Sequence, residues 1–389
     1  MQHTTRRIVT TAGFVAIAIA ALAIGAATAF AQTSAAPAAA PAEKSIYDKI
    51  WSITSLYNNP DNRWLQELNV VGRQQNDFYY FDADQGQETD FVNRRTRIGL
   101  KAKMFDTITL HSEVDLNLEP HGQTYNKLTD AYVKWAPNKL LNATIGKHSA
   151  KFTLDGGTSS TQLITIDRSN IANNFWYPEE YIPGVSVNGE HGNWSYNTGM
   201  FSAGEATREF GKFNAGMFAL FSGGYNFASM IGVDKALLRL DYVYQTPDSR
   251  DNFTRANEDV GSLNFQLEKG PWGLGADIDG SHGYGSQPDL FGLQIMPSYK
   301  ITKTWQAVFR YTFIDSSDDN GIRLARYENA IVSGRGDQYN EAYLGVNKYF
   351  YGHKLKWQTG VQYASMKDHA NDGGKYEGWG LTTGLRISW

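Results

Sequence analysis

Four cations alternate with apolar residues in the stretch Arg95-Thr96-Arg97-Ile98-Gly99-Leu100-Lys101-Ala102-Lys103-Met104. In an extended chain successive side chains point to opposite faces. Arg95, Arg97, Lys101 and Lys103 therefore share one face, and Ile98, Leu100, Ala102 and Met104 the other. A row of cations along a low-dielectric passage concentrates anions and speeds their access. After a tight turn at Phe105-Asp106, Ile108, Leu110, Val114 and Leu116 alternate with Thr109, His111, Glu113, Asp115 and Asn117. Glu113 and Asp115 imitate the carboxylate pair of a glycosidase, and His111 beside Glu113 imitates an acid–base pair. The plainer reading is a polar wall whose charges pair across strands, each pair contributing roughly 0.2–1 kcal/mol. Any strand with one watery face produces such pairs, so no enzyme and no catalytic residue is read here. Asp315, Asp318, Asp319 and Asn320 offer oxygen ligands of the calcium type, but without EF-hand spacing. They read as a solvated loop tip, and neither a metal nor a cofactor is expected. The chain has no cysteine, which excludes thiolate and Cys-zinc chemistry.

Strands must carry this row. Period-two alternation places about sixteen of them, near 64–80, 92–105, 107–118, 127–136, 140–147, 184–190, 193–202, 213–227, 235–246, 257–268, 271–282, 289–301, 304–315, 337–350, 354–367 and 376–389. Segment 213–227 alternates least well. Connections are alternately tight (105–106, 137–139, 191–192, 228–234, 269–270, 302–303, 351–353) and long (81–91, 148–183, 246–256, 316–336). Short turns on one side and long loops on the other are the sidedness of an outer-membrane barrel. Trp64, Trp135, Trp194, Trp272, Trp305, Trp357 and Trp389 fall near the tight turns or the chain end. Indole prefers the headgroup level, so they predict an aromatic girdle at one rim. The chain closes on Gly380 to Trp389, alternating to a terminal aromatic residue.

Between Lys147 and Pro183 the alternation stops. Gly156-Gly157, Thr158 to Thr161, Asn170 and Asn173-Asn174 fill the stretch, with Lys147, Lys151, Asp155, Asp167 and Arg168 among its charges. Phe152, Leu163, Ile166, Ile171 and Phe175-Trp176-Tyr177 give it much to bury, which favours a folded functional loop over disorder. It is expected to fold into the lumen of the barrel and narrow it.

At the start, Arg6-Arg7, the apolar run Ala12 to Ala27 and Ala29-Phe30-Ala31 form a signal segment with a cleavage site after Ala31. Residues 1–31 are thus a signal peptide, 32–63 a periplasmic linker with a short helical segment near Ile46 to Leu56, and 64–389 the barrel. Cleavage leaves 34 basic against 40 acidic side chains, a net charge of −6, which argues against nucleic acid as a partner.

Several motifs resemble the phosphate-selective porin O and P family. They are Ile50 to Tyr57, Asn93 to Leu100, Asp130 to Trp135, Gly146-Lys147-His148, Thr158-Ser159-Ser160 followed by Arg168-Ser169, and Leu238 to Tyr242, in family order. The resemblance implies an all-β, transmembrane antiparallel barrel of sixteen strands, a homotrimer in the outer membrane of a Gram-negative cell, with the third external loop folded inward. It also implies lysines at a constriction and arginines down the wall. Lys147 and Lys151 match the start of that loop, and Arg95, Arg97, Arg239 and Arg310 match wall positions. A dense lysine cluster is missing, and Glu113, Asp115, Asp130, Asp241, Asp277 and Asp279 read as inward. The expectation is therefore a weakly anion-preferring pore for small hydrophilic solutes, with the site set Arg95, Arg97, Lys101, Lys103, Lys147, Lys151, Arg168, Arg239 and Arg310. A general or sugar-permeable pore is the alternative, and a secreted carbohydrate-binding β-protein a more distant one.

Overall fold

The computed structural model of the chain describes residues 45–118, 122–176, 180–204, 209–214, 216–248 and 255–389. The expected signal segment and residues 32–44 of the linker lie outside these residues. A short helix α1 (Ile46–Ser52) and a four-residue strand β1 (Ser55–Asn58) come first. There follow β2 (Leu65–Ala83), β3 (Gly86–Met104), β4 (Ile108–Leu116), β5 (Tyr125–Trp135) and β6 (Asn142–Ser149). The next segment holds α2 (Leu154–Gly157) and α3 (Asn170–Phe175). After it come β7 (Tyr181–His191), β8 (Trp194–Ser202), β9 (Met217–Asn226), α4 (Ala228–Ile231), β10 (Lys235–Gln245), β11 (Asn257–Lys269), β12 (Trp272–Gly283), β13 (Leu290–Lys300) and β14 (Trp305–Ser316). A loop carrying β15 (Ile322–Arg323), α5 (Glu328–Ile331) and β16 (Arg335–Gly336) leads to β17 (Gln338–Tyr351), β18 (Leu355–Lys367) and β19 (Tyr376–Ser388).

Sixteen strands, all but β1, β15 and β16, pair antiparallel with their neighbours in chain order. β19 returns to β2, from Gly378 opposite Ala83 to Ser388 opposite Arg73, and closes the barrel. Closure leaves the ring without a free edge and satisfies its backbone groups within the sheet. β1 extends the ladder at the seam. It pairs with Glu67 to Asn69 of β2, past the point where β19 ends. The Trp51 indole donates to the Ser388 carbonyl at 2.7 Å and Tyr47 stacks on Tyr351, so α1 sits at the short-turn rim beside that seam.

Alternation sets the two faces. On β3, Arg95 and Arg97 are 8% and 3% exposed, whereas Ile98 and Leu100 are 47% and 52% exposed. The seven tryptophans lie at the strand ends near the short turns, and Trp64, Trp135, Trp194, Trp272 and Trp305 are exposed on the outside. The Phe105-Asp106 turn places both residues in left-handed backbone (φ 50° and 61°), and the Phe105 ring packs edge-on against Trp64. Primed turns of this kind match the twist of the strands they join.

Two features differ from the sequence-based expectation. Residues 81–91 are not a long loop: β2 and β3 pair out to Ala83 opposite Gly86, around a two-residue turn. Tyr79 and Phe81 explain the extension, because both pack against Tyr327 of the β15–β17 loop (ring centroids 4.2 and 5.7 Å). The inward faces of β8 to β14 are also not uniformly polar. Phe201, Phe218, Leu220, Val243, Val260 and Ile314 are buried there and form one cluster with Phe152, Ile171, Phe175 and Trp176 of the segment between β6 and β7. That segment is seated on an apolar patch of the wall.

The two faces make a testable pair at adjacent positions. Leu100→Arg puts a charge on the outward face and should cost about 2–4 kcal/mol near a bilayer midplane. Lys101→Glu changes the lumen face and should cost far less. Equal losses in a lipid-based folding assay would mean that the faces are misassigned.

Candidate functional site

The site is built where the segment 150–180 meets the wall. Inward side chains of many strands bond to it. Arg73 of β2 donates to Ser160 Oγ (2.7 Å) and Arg239 of β10 to the Thr153 carbonyl (2.8 Å). Arg310 of β14 reaches the Asp167 carbonyl (2.9 Å), and Asn347 of β17 the Ile164 carbonyl (2.7 Å). Lys356 of β18 bonds the Leu163 carbonyl (2.5 Å) and Arg386 of β19 the Ile166 carbonyl (3.1 Å). In the other direction the Leu154 amide donates to Asp277 Oδ2 of β12 (2.6 Å). An irregular segment has few backbone partners of its own, and these wall side chains supply them. Gly292 permits the closest approach: a Cβ there would lie 2.8 Å from the Phe175 ring.

The largest cluster of cations surrounds a cavity of about 670 Å³ on the long-loop side of the segment. Eight arginines and one lysine line it, against five carboxylates, among the described residues. Two further cavities of about 550 and 790 Å³ are lined by residues near the short turns. Lysines and arginines outnumber acids in both, three to two and four to two. The chain as a whole is acidic, yet each of these spaces is lined by more base than acid.

The expected residues divide among these spaces. Arg95, Arg97, Arg168 and Arg310 line the first cavity, and Lys151 and Arg239 the third. Lys101, Lys103 and Lys147 line none of the three. Lys101 and Lys103 are exposed toward the short-turn end of β3, while Lys147 is buried and donates to the Glu209 carbonyl (2.5 Å). Several of the cations are braces. Arg310 grips Glu341 with two hydrogen bonds (2.8 and 3.2 Å), and Arg239 grips Asp241 (2.8–3.0 Å). Arg168 binds the Asp155 and Thr158 carbonyls (both 2.9 Å) and Glu180 (3.1 Å), over the Trp176 ring. Arg97 donates to the Tyr181 hydroxyl (2.7 Å) and lies 3.7 Å from Asp115 and 3.8 Å from Glu113. Arg95 differs. It donates to Gln75 (2.9 Å) and forms no salt bridge among the described residues.

Glu113 and Asp115 are thus tied to arginines, and they are not a free carboxylate pair. His111 contacts the Tyr132 hydroxyl (3.2 Å) and stands 3.9 Å from Asp130. Of the four acidic-loop residues, only Asp319 joins a group of possible metal ligands, with Asp337 and His369.

Strict alternation misses Arg94. The β2–β3 pairing slips at this point, with Gln75 opposite Arg95 and Asn76 opposite Asn93, so Arg94 is the extra residue of a β-bulge. A bulge re-aims a side chain. Arg94 consequently lines the same cavity as Arg95 and lies 3.4 Å from Asp167. The Asn93-Arg94-Arg95 run, three polar residues where alternation allows two, was the available signal. Arg255, Arg323 and Arg326 also line the cavity and sit in long loops, where periodicity gives no facing information.

The carboxylates of the segment are held by these arginines. Burial alone would raise the Asp167 carboxyl, but Arg94, Arg326, Arg95 and Arg386 hold it well below the ordinary range. For Glu180 burial is likewise overcome, by Arg168, Arg97, Arg95 and Arg73, and its pKa falls to about 2. A depressed carboxylate contributes fully above its ordinary value and loses that contribution as pH falls toward the folded-state value. Single-channel conductance should therefore hold steady from pH 7 to about 5 and rise, as the segment loosens, only below about 4. Loosening near pH 6 would contradict this anchoring.

The family described as phosphate-selective porin O and P matches residues 68–271 of the chain. No curated protein matches. Among solved structures, the outer membrane channel DcaP of Acinetobacter baumannii aligns at TM-score 0.56 and 15% identity, over 83% of this chain and 97% of that one. An anion-selective porin from Comamonas acidovorans aligns at 0.57 and 11% identity, over 83% and 99%. Salmonella typhi OmpF aligns at 0.59 and 12% identity, over 86% and 100%. At these identities the likeness concerns the fold, a closed sixteen-strand barrel shared with outer-membrane channels. The family match spans more than half of the chain and includes the charged β3 row and the segment seated on the wall, and on that ground the protein belongs to the phosphate-selective porin O and P family.

Proposed function

We propose that the protein is an outer-membrane porin giving passive, weakly anion-preferring diffusion to small hydrophilic solutes. The segment 150–180 would form its constriction. The observation that carries this reading is the cavity lined by nine basic side chains against five acidic ones. In a pore with low-dielectric walls such an excess raises the local anion concentration and disfavours cations. The preference is weak because Arg97, Arg239 and Arg310 are paired with acids, and Asp277 and Asp279 place further acid in the wall. The same pairing favours, as a second reading, a general pore without phosphate specificity. The short-turn rim would face the periplasm and the long loops the exterior. Export by a cleaved signal peptide and a homotrimeric state belong to this reading, the latter as the family resemblance implies. Arg95 is the residue inferred to meet the permeating anion, with the paired Arg94 and Arg97 beside it adding to the local field and with no catalytic step. The test is ion selectivity across a planar bilayer: cation preference in dilute salt would overturn the reading.

A further inference from the structure

Behind α2 and α3 the wall carries two acids without a counter-charge among the described residues. Both helices pack on β12, and α3 also packs on β13 and β14. Asp277 and Asp279 stand two residues apart on the inward face of β12, each 1% exposed. Neither forms a salt bridge among the described residues, whereas the other acids nearby do: Asp241 with Arg239 (2.8 Å) and Asp155 with Arg310 (3.8 Å). Asp277 accepts from the Ser262 hydroxyl (2.7 Å) and the Leu154 amide (2.6 Å). With Ser262 so engaged, neither oxygen of Asp279 has a hydrogen-bond partner. A carboxylate taken out of water without a partner is strongly destabilising.

A second set of groups faces the same place. The ladders put Asn264 of β11 and Gln294 of β13 on either side of Asp277, and Thr312 of β14 opposite Gln294. All three side chains are fully buried. Asn264 Oδ1, Thr312 Oγ1 and both polar atoms of the Gln294 amide also lack hydrogen-bond partners. Opposite Asp279 lies Gly292, and the space over it is filled by the Phe175 ring and Ile171. An apolar lid from α3 therefore roofs the acids.

We infer that Asp277 and Asp279 bind a divalent cation of the calcium class, with Asn264, Gln294 and Thr312 as neutral oxygen ligands. Two uncompensated carboxylates call for a doubly charged ion. The donor set is all oxygen, which selects a hard cation over zinc or copper. Calcium accepts about 6–8 oxygens in flexible geometry, whereas magnesium demands a near-ideal octahedron and keeps several waters. The ion ties the constriction segment to the wall, because Asp277 also holds the Leu154 amide at the start of α2. Once bound, it cancels the acid that these two residues place in the wall. The inference does not depend on which ions the pore prefers.

The test uses the full-length protein refolded in detergent and stripped with EDTA. The probe is calcium chloride, against magnesium chloride and potassium chloride at equal ionic strength. Equilibrium dialysis should find a tightly held calcium that equal magnesium does not displace, and calcium should raise the melting temperature. Asp279→Asn should weaken this binding by at least about a hundredfold, since loss of even a ligand's hydrogen-bond partner costs about 10–100-fold. Thr312→Val keeps every acid and removes one hydroxyl ligand, and it should weaken binding severalfold. In EDTA, Asp279→Asn should melt no lower than the unaltered protein, because an amide replaces a buried charge that nothing balances. A carboxylate that only supports the fold would destabilise when removed. Asp319→Asn, in the separate group Asp319, Asp337 and His369, should leave the tight calcium in place. No calcium binding, or binding lost with Asp319→Asn and kept with Asp279→Asn and Thr312→Val, would overturn the site.

Discussion

Replacing residues 157–175 by a short Gly-Ser linker should leave a folded barrel with a severalfold larger single-channel conductance. The barrel's stability resides in sixteen ladders that do not include this segment. Its removal costs the apolar seat on β8 to β14 and the hydrogen bonds from Asn347, Lys356 and Arg386, whose polar ends would turn to water. A gentler version is Phe175→Ala. Truncating a buried Phe costs about 3–5 kcal/mol, a loss that falls on the seating of α3 rather than on the ladders. That variant should show intermittent large-conductance openings with unchanged heat resistance of the barrel. If neither change alters the conductance, the segment does not restrict the passage.

Most of the barrel was legible in the sequence, because a strand between lipid and water must alternate and its period is fixed by the backbone. The β19 run ending at Trp389, the tryptophan girdle and the least regular strand, Met217–Asn226, all fall where alternation and turn residues place them. Legibility ended where the period broke. The bulge at Arg94 turned an outward position inward. Phe201, Phe218 and Val243 face inward because a folded segment, invisible to a local pattern, covers them. At the site, the types of Arg95, Arg97 and Arg310 could be read, but not which of them are consumed. Arg310 is spent on Glu341, while Arg95 forms no salt bridge among the described residues, and only the three-dimensional arrangement separates a brace from a contact residue. Loop arginines such as Arg255 and Arg323 carry no periodic signal at all.

That distinction governs the second large effect. Arg95→Gln removes a cation that forms no salt bridge among the described residues, so the anion preference should fall, while Asp167 and Glu180 keep their salt bridges to Arg94 and Arg168. Arg97→Gln should act more strongly, since it also releases Asp115, 3.7 Å away, from its cation, while Glu113 keeps Arg73 at 3.3 Å. A unit charge at 4 Å is worth about 1 kcal/mol even at the dielectric of water, roughly fivefold in local ion concentration. With both substitutions the preference should vanish or reverse toward cations. High salt should mimic the change, because the Debye length contracts from about 10 Å at 0.1 M to about 3 Å at 1 M.

The most direct measurement is the reversal potential of the reconstituted protein across a planar bilayer under a potassium chloride gradient. It should be taken in dilute and in concentrated salt, for the unaltered protein and for the Arg95→Gln/Arg97→Gln double variant. The expected result is chloride preference in dilute salt, fading in concentrated salt and absent in the variant. Potassium preference in dilute salt, or a reversal potential that the double substitution leaves unmoved, would contradict the assignment of the β3 arginines as the source of selectivity.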